Sequence, residues 1–150
     1  MMTPEEALKH ATAAGRLSPC AKSKRGVVIW TRQGGLYADG WNHPPEGFQC
    51  HGDDACRAAC GKVSIHAEMD AILKAGRRGI GIMGKDMLHV KVVDGKAVPS
   101  GPPSCVYCSK HLILAGLAGM WLLHEDGLRR YTVEDFHRLT LEHLGLPTGG

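Results

Sequence analysis

Apolar positions recur along this chain in two rhythms, one helical and one extended. Leu8, Ala11 and Ala14 follow each other at helical spacing behind Thr3, Pro4 and Glu6. Those three read as a helix start, with Thr3 as cap, Pro4 at the first position and Glu6 completing a capping box. Gly15 is placed to end the helix. Val27, Val28, Ile29 and Trp30 form a β-branched apolar run, Gly34-Gly35 supplies a turn, and residues 36–41 return, which predicts a hairpin.

From 42 to 62 the rhythm stops, and His, Pro, Gly, Asp and Cys dominate. This predicts a long loop, and loops of that length inside a domain are usually functional or pinned. Residues 65–75 predict a helix with Met69, Ile72 and Leu73 on one face and Gly76 as its stop. Residues 87–93 predict a third strand, followed by an Asp94-Gly95 turn and a Pro/Gly-rich approach over 98–104. A helix over 105–115 ends at Gly116, and 120–123 form a fourth strand. Thr132 and Asp135 then cap a last helix carrying Val133, Phe136, Leu139 and Leu144, which stops at Gly145. Strands alternating with helices after an initial hairpin predict an α/β domain: three layers, α/β/α, around a central mixed sheet, with 1–150 as one domain.

Composition narrows the setting. A chain of 150 residues can bury a real core without staples. Its longest apolar run, 112–123, is broken by glycines and falls short of the roughly 20 residues that cross a bilayer. The N-terminus carries Glu5 and Glu6 where a secretion signal is basic, so the expected location is cytoplasmic. In that compartment the six cysteines read as thiolate ligands rather than disulfides. The net charge of +3 is spread over short basic clusters, without the long stripe of a nucleic-acid binder.

Two short motifs carry chemistry. His66-Ala67-Glu68 opens one predicted helix and Cys105-Val106-Tyr107-Cys108 opens another. One imidazole and two thiolates fill three of zinc's four tetrahedral positions and leave the fourth for water, as in a catalytic site. Helix N-termini bring free amides and positive dipole ends to the same place. Zinc lowers the pKa of a bound water toward about 7, and Glu68, near a ligand without being one, is placed to move its proton. His-x-Glu with a following Cys-x-x-Cys is the known signature of zinc deaminases. Either half alone is weak, since Cys-x-x-Cys also serves redox chemistry and structural zinc.

With these motifs the sequence resembles the cytidine deaminase superfamily, and within it the deoxycytidylate deaminase branch, over residues 26–123. His66-Ala67-Glu68-Met69-Asp70-Ala71-Ile72-Leu73 is similar to that branch's His-Ala-Glu-x-Asn-Ala-Ile-Leu. Gly40-Trp41-Asn42-His43-Pro44-Pro45-Glu46-Gly47 is similar to its Gly-Tyr-Asn-Gly-x-Pro-x-Gly. Asp70 stands in place of Asn, His43 in place of Gly, and Ser104 separates Pro103 from Cys105. The resemblance implies a homo-oligomeric enzyme in which Asn42 binds the substrate's sugar and the Ala67 amide faces the pyrimidine carbonyl. It also implies hydrolysis of a dCMP-like nucleotide to dUMP and ammonia.

Cys20, Cys50, Cys56 and Cys60 remain after the catalytic pair is assigned. They suffice for a second, structural zinc that would replace the loop's missing apolar core, as in some deoxycytidylate deaminases; alternatively Cys20 is an ordinary buried thiol and His51 or nothing completes the set. Lys22, Lys24 and Arg25 precede the first strand, where they either reach a phosphate or remain solvated. Trp41, Phe48 and Tyr107 flank the motifs as stacking candidates or core packing. Three classes of function stay open: a deaminase of a free pyrimidine nucleotide, one acting on another base, nucleoside, amino-heterocycle or single-stranded nucleic acid, and a non-catalytic zinc module. A purely structural site has no need of Glu68, and polymer binding would call for more phosphate-facing charge.

Overall fold

The computed structural model describes residues 1–21, 23–44, 53–54 and 63–149. Helix α1 (Pro4–Arg16) starts as its sequence predicts, with the Thr3 hydroxyl accepting the Glu6 amide at 3.1 Å. It continues one residue past Gly15, whose role is packing. A Cβ on Gly15 would lie 2.6 Å from Val92 Cγ2, and one on Gly26 would lie 1.9 Å from the Ala11 carbonyl oxygen. The two glycines let α1 lie flush on the sheet.

Strands β1 (Lys24–Thr31) and β2 (Gly35–Trp41) form the predicted hairpin, with a shift of register between Ile29 and Trp30. Helix α2 (Ala67–Arg77) follows, then β3 (Asp86–Val93), antiparallel to β1. Two strands go beyond the sequence expectation. The Asp94-Gly95 turn, both residues at positive φ, folds β4 (Lys96–Val98) back onto the end of β3. After α3 (Val106–Leu114) and β5 (Gly119–His124), strand β6 (Gly127–Thr132) pairs antiparallel with β5. Its Arg129-Arg130 doublet masks a strand at the sheet's edge, where little apolar surface is needed. Arg130 is held there by Asp86, Nε to Oδ2 2.8 Å.

The order β2-β1-β3-β5-β6 is parallel only between β3 and β5, which makes the sheet mixed. Ala7 and Ala11 of α1 pack with Val28, Trp30, Leu88 and Val90 on one face. The opposite face joins Val27, Ile29, Met87, Met120 and Leu122 to α2, α3 and α4 (Val133–His143). Three layers result, as expected. No helix among the described residues is long and apolar enough to cross a membrane.

Helix α2 departs from its predicted face and end. It runs to Arg77, and the positive φ falls on Gly79, not Gly76. Its buried positions are Ala67, Glu68, Asp70, Ala71 and Ala75, while Leu73 is 61% exposed. The reason is close approach: a Cβ on Gly40 would sit 2.5 Å from the Ala67 carbonyl oxygen. Small residues are therefore needed where α2 crosses Gly40; Ile72 packs partly buried at the edge of the core and Leu73 faces outward.

Candidate active site

His66 is the residue before α2 and Cys105 the residue before α3, both with extended backbone. An N-cap side chain normally bonds its own helix. His66 makes no such bond and turns to the other helix instead, its Nδ1 3.2 Å from Cys108 Sγ and 3.6 Å from Cys105 Sγ. Cys105 Sγ does cap α3, accepting the Cys108 amide at 3.4 Å. The three ligand atoms lie within 4.8 Å of one another. A tetrahedron with metal bonds of about 2.0–2.3 Å has edges of about 3.3–3.8 Å, so the spacing suits zinc.

A cavity of about 360 Å³ opens beside these three residues. Ala67 and Glu68 from α2, Arg25 at the start of β1, Asn42 after β2 and His89 from β3 all line it. Pro102, Pro103 and Ser104 close one side, and Met120, Leu122 and Phe136 supply apolar surface. Ala67 is the first residue of α2, so its amide has no intrahelical partner and is available to a ligand. Asn42 is tied to the backbone: its Oδ1 accepts the Arg25 amide and its Nδ2 donates to Ser23 O, each at 2.7 Å.

The family model for the cytidine and deoxycytidylate deaminase zinc-binding region matches residues 1–123. The chain belongs to this family. It is accordingly a zinc-dependent deaminase, a hydrolase. Among solved structures it is similar to the dCMP deaminase of cyanophage S-TIM5 in its apo form, at 25% identity and a TM-score of 0.60, over 79% of this chain and 82% of that one. The same phage enzyme in complex with dCMP and dUMP matches equally. The cytidine deaminase of Burkholderia pseudomallei shares the fold at 20% identity and a TM-score of 0.63, over 90% and 96% of the two chains. No curated protein matches the sequence.

The electrostatics of this deaminase fit a cation at the cluster. Hydrogen bonding from the Cys108 thiol, and then from His66, holds Cys105 at about 4. The same bond with Cys105 pushes Cys108 up, and a hydrogen bond to Cys105 raises His66. Protons are thus concentrated where a metal would displace them. Burial alone would raise the Glu68 carboxyl, but the neighbouring His89, hydrogen bonds from Cys108 and the backbone, and His66 hold it below its ordinary value. These interactions favour the carboxylate form of Glu68, the form that accepts a proton.

Not every residue singled out in the sequence reaches the cavity. Lys24 does not line it, and its Nζ donates to Ser18 O at 2.7 Å. Trp41 lies under Lys74, with Nζ 3.5 Å from the ring centroid, and Tyr107 is half exposed with its ring on edge to His66. Cys20 is buried and lines the cavity. Lys22, Phe48, Cys50, Cys56 and Cys60, and with the three cysteines the four-cysteine site, lie outside the described residues. His89 and Phe136 are among the lining residues that sequence motifs did not mark as site residues; the periodicity of β3 and α4 places them in elements without marking what they face.

Proposed function

We propose that this protein hydrolyses the exocyclic amine of a free pyrimidine nucleotide of the dCMP type, giving dUMP and ammonia. The observation that carries the reading is the buried Glu68 carboxylate beside His66, Cys105 and Cys108, in one cavity with the Arg25 guanidinium. Zinc held by those three residues would make water nucleophilic near neutral pH. Glu68 takes a proton from the attacking water and delivers it to the ring nitrogen next to the amino carbon. It then carries the second proton to the amine, the C–N bond breaks, and ammonia leaves as the carbonyl forms. The Ala67 amide would donate to a ring carbonyl, and Arg25, whose Nε donates to Ser23 Oγ at 3.1 Å, would meet a phosphate.

A nucleoside substrate is the second reading. Arg25 is the one Lys or Arg among the described lining residues, because Lys24 is turned to Ser18. Ammonia release from dCMP, CMP, deoxycytidine, cytosine and single-stranded DNA separates the two. Preference for dCMP that collapses in Arg25→Ala supports the nucleotide; equal turnover of deoxycytidine, indifferent to Arg25→Ala, supports the nucleoside. In either case Glu68→Gln should retain zinc and lose at least about a thousandfold in kcat. Silence of the zinc-loaded enzyme on all five compounds would reject the amino-pyrimidine reading.

A further inference from the structure

His89 occupies a position that a strand in the middle of a sheet normally gives to an aliphatic residue. It pairs with Val27 of β1 on one side and with Leu122 of β5 on the other. Residues paired across a ladder share a face, so the three form one row toward the α2–α3 layer. Val27 and Leu122 belong to the apolar core of that layer. An imidazole between them gives up hydration and is normally compensated by a hydrogen bond.

That hydrogen bond is missing, and the partner the ring does have is the charge of the neighbouring Glu68 carboxylate. His89 makes no hydrogen bond with any described residue, and among those residues only Trp30 Nε1 is both sealed from solvent and unpartnered. His89 lines the cavity together with Glu68, Met120 and Leu122, and its ring nitrogens are not sealed from solvent there. Neither nitrogen joins the metal cluster, whose members are His66, Cys105 and Cys108. The row thus sacrifices packing for a polar group that faces a ligand-sized space.

We propose that His89 is a substrate-contacting residue of this deaminase, hydrogen-bonding the bound amino-heterocycle from the cavity floor and selecting rings that carry a polar group there. The inference rests on the deaminase reading above. A neutral imidazole offers one donor and one acceptor, so it can meet a ring carbonyl or a ring amine. A ring lacking that group leaves the imidazole unpaired in a desolvated place, which is how such sites discriminate. Met120 and Leu122 supply apolar contact beside it.

The test compares wild type with His89→Leu and His89→Asn, each zinc-loaded, on dCMP and deoxycytidine. Zinc content and melting temperature are measured on the same samples. Leucine suits the apolar row, so His89→Leu is expected to keep its zinc and melt at or above the wild-type temperature. Its kcat/KM is expected to fall at least about tenfold, chiefly through KM, as for a lost binding contact. His89→Asn, which restores a donor and an acceptor, is expected to recover part of that loss. Retention of kcat/KM within twofold in His89→Leu on both substrates would overturn the proposal. So would a loss accompanied by lower melting temperature or missing zinc in both variants, which would mark a structural role. A wild type inactive on both substrates removes the pyrimidine reading on which the proposal rests, and that outcome is seen before either variant is assayed.

Discussion

His43 Nε2 lies 2.9 Å from Asp70 Oδ1, joining the end of β2 to the first turn of α2. These are two of the positions at which the sequence departs from the deoxycytidylate deaminase pattern, which has Gly and Asn there. The departures are thus partners in one contact. Asp70 also accepts the Trp41 amide at 3.1 Å and the Lys74 ammonium at 2.8 Å, so its buried carboxylate is fully engaged. His43 in turn exchanges both backbone hydrogen bonds with Ile65, directly before His66. The pair anchors the segment that carries His66 into the candidate metal site.

His43→Ala should therefore cost about 1.5–3 kcal/mol, the range for a hydrogen bond to a charged group. In a domain of this size each kcal/mol lowers the melting temperature by about 2–4 °C. A calorimetric scan checks this, and the zinc affinity of the same variant should fall as the approach to His66 loosens. An unchanged melting temperature and zinc affinity would remove the anchoring role.

The pH dependence of stability has a definite sign at Asp70. Burial raises its carboxyl, but the Lys74 ammonium, the His43 ring and the Trp41 amide together hold it below its ordinary value. The folded state thus binds the proton less readily than the unfolded chain. The resulting stabilisation is fully present above the unfolded value of about 3.9 and is lost as pH falls through the lower folded value. Asp70→Asn should be less stable than wild type at neutral pH and should lose less stability between about pH 4 and pH 2. Urea midpoints across that range would show parallel curves if Asp70 had no part in acid unfolding.

Stripping the metal with a chelator should abolish ammonia release, and added zinc should restore it. Cys105→Ala should bind the catalytic zinc far more weakly, since it removes one of three protein ligands and the cap of α3 together. Metal analysis beside the activity assay decides the matter: turnover in fully metal-free protein would contradict it.

Gly26→Ala tests the close seating of α1. A methyl group 1.9 Å from the Ala11 carbonyl oxygen forces helix and sheet apart, because both partners are backbone. Overpacking of this kind costs about 1–3 kcal/mol. A drop in the urea midpoint is expected, and an unchanged midpoint would mean that α1 rides loosely on the sheet.

What was legible in the sequence was what local chemistry dictates. Thr3 and Thr132 accept the amides three residues on, as any such cap must, and Asp94-Gly95 adopts the positive φ values that its turn requires. The grouping of His66, Cys105 and Cys108 was legible because a metal site would restrict residue type and spacing in that way. The alanine-and-acid face of α2 was not, because it depends on Gly40 lying beneath the helix. Strand β6 was hidden for a similar reason, since Arg130 finds Asp86 only once the sheet is assembled. His89 reads as one histidine in an apolar strand until β1 and β5 are set on either side of it.

Phe136 lines the cavity from α4, beyond the 123 residues that the family model matches, while every ligand of the candidate zinc site comes before α4 begins. On a ribosome the chain therefore exposes its metal-ligating residues before the helix that completes the cavity wall. The order of synthesis places the means of holding a metal ahead of the means of enclosing a substrate. A change at Phe136 thus alters the cavity wall without removing any residue of the candidate metal site.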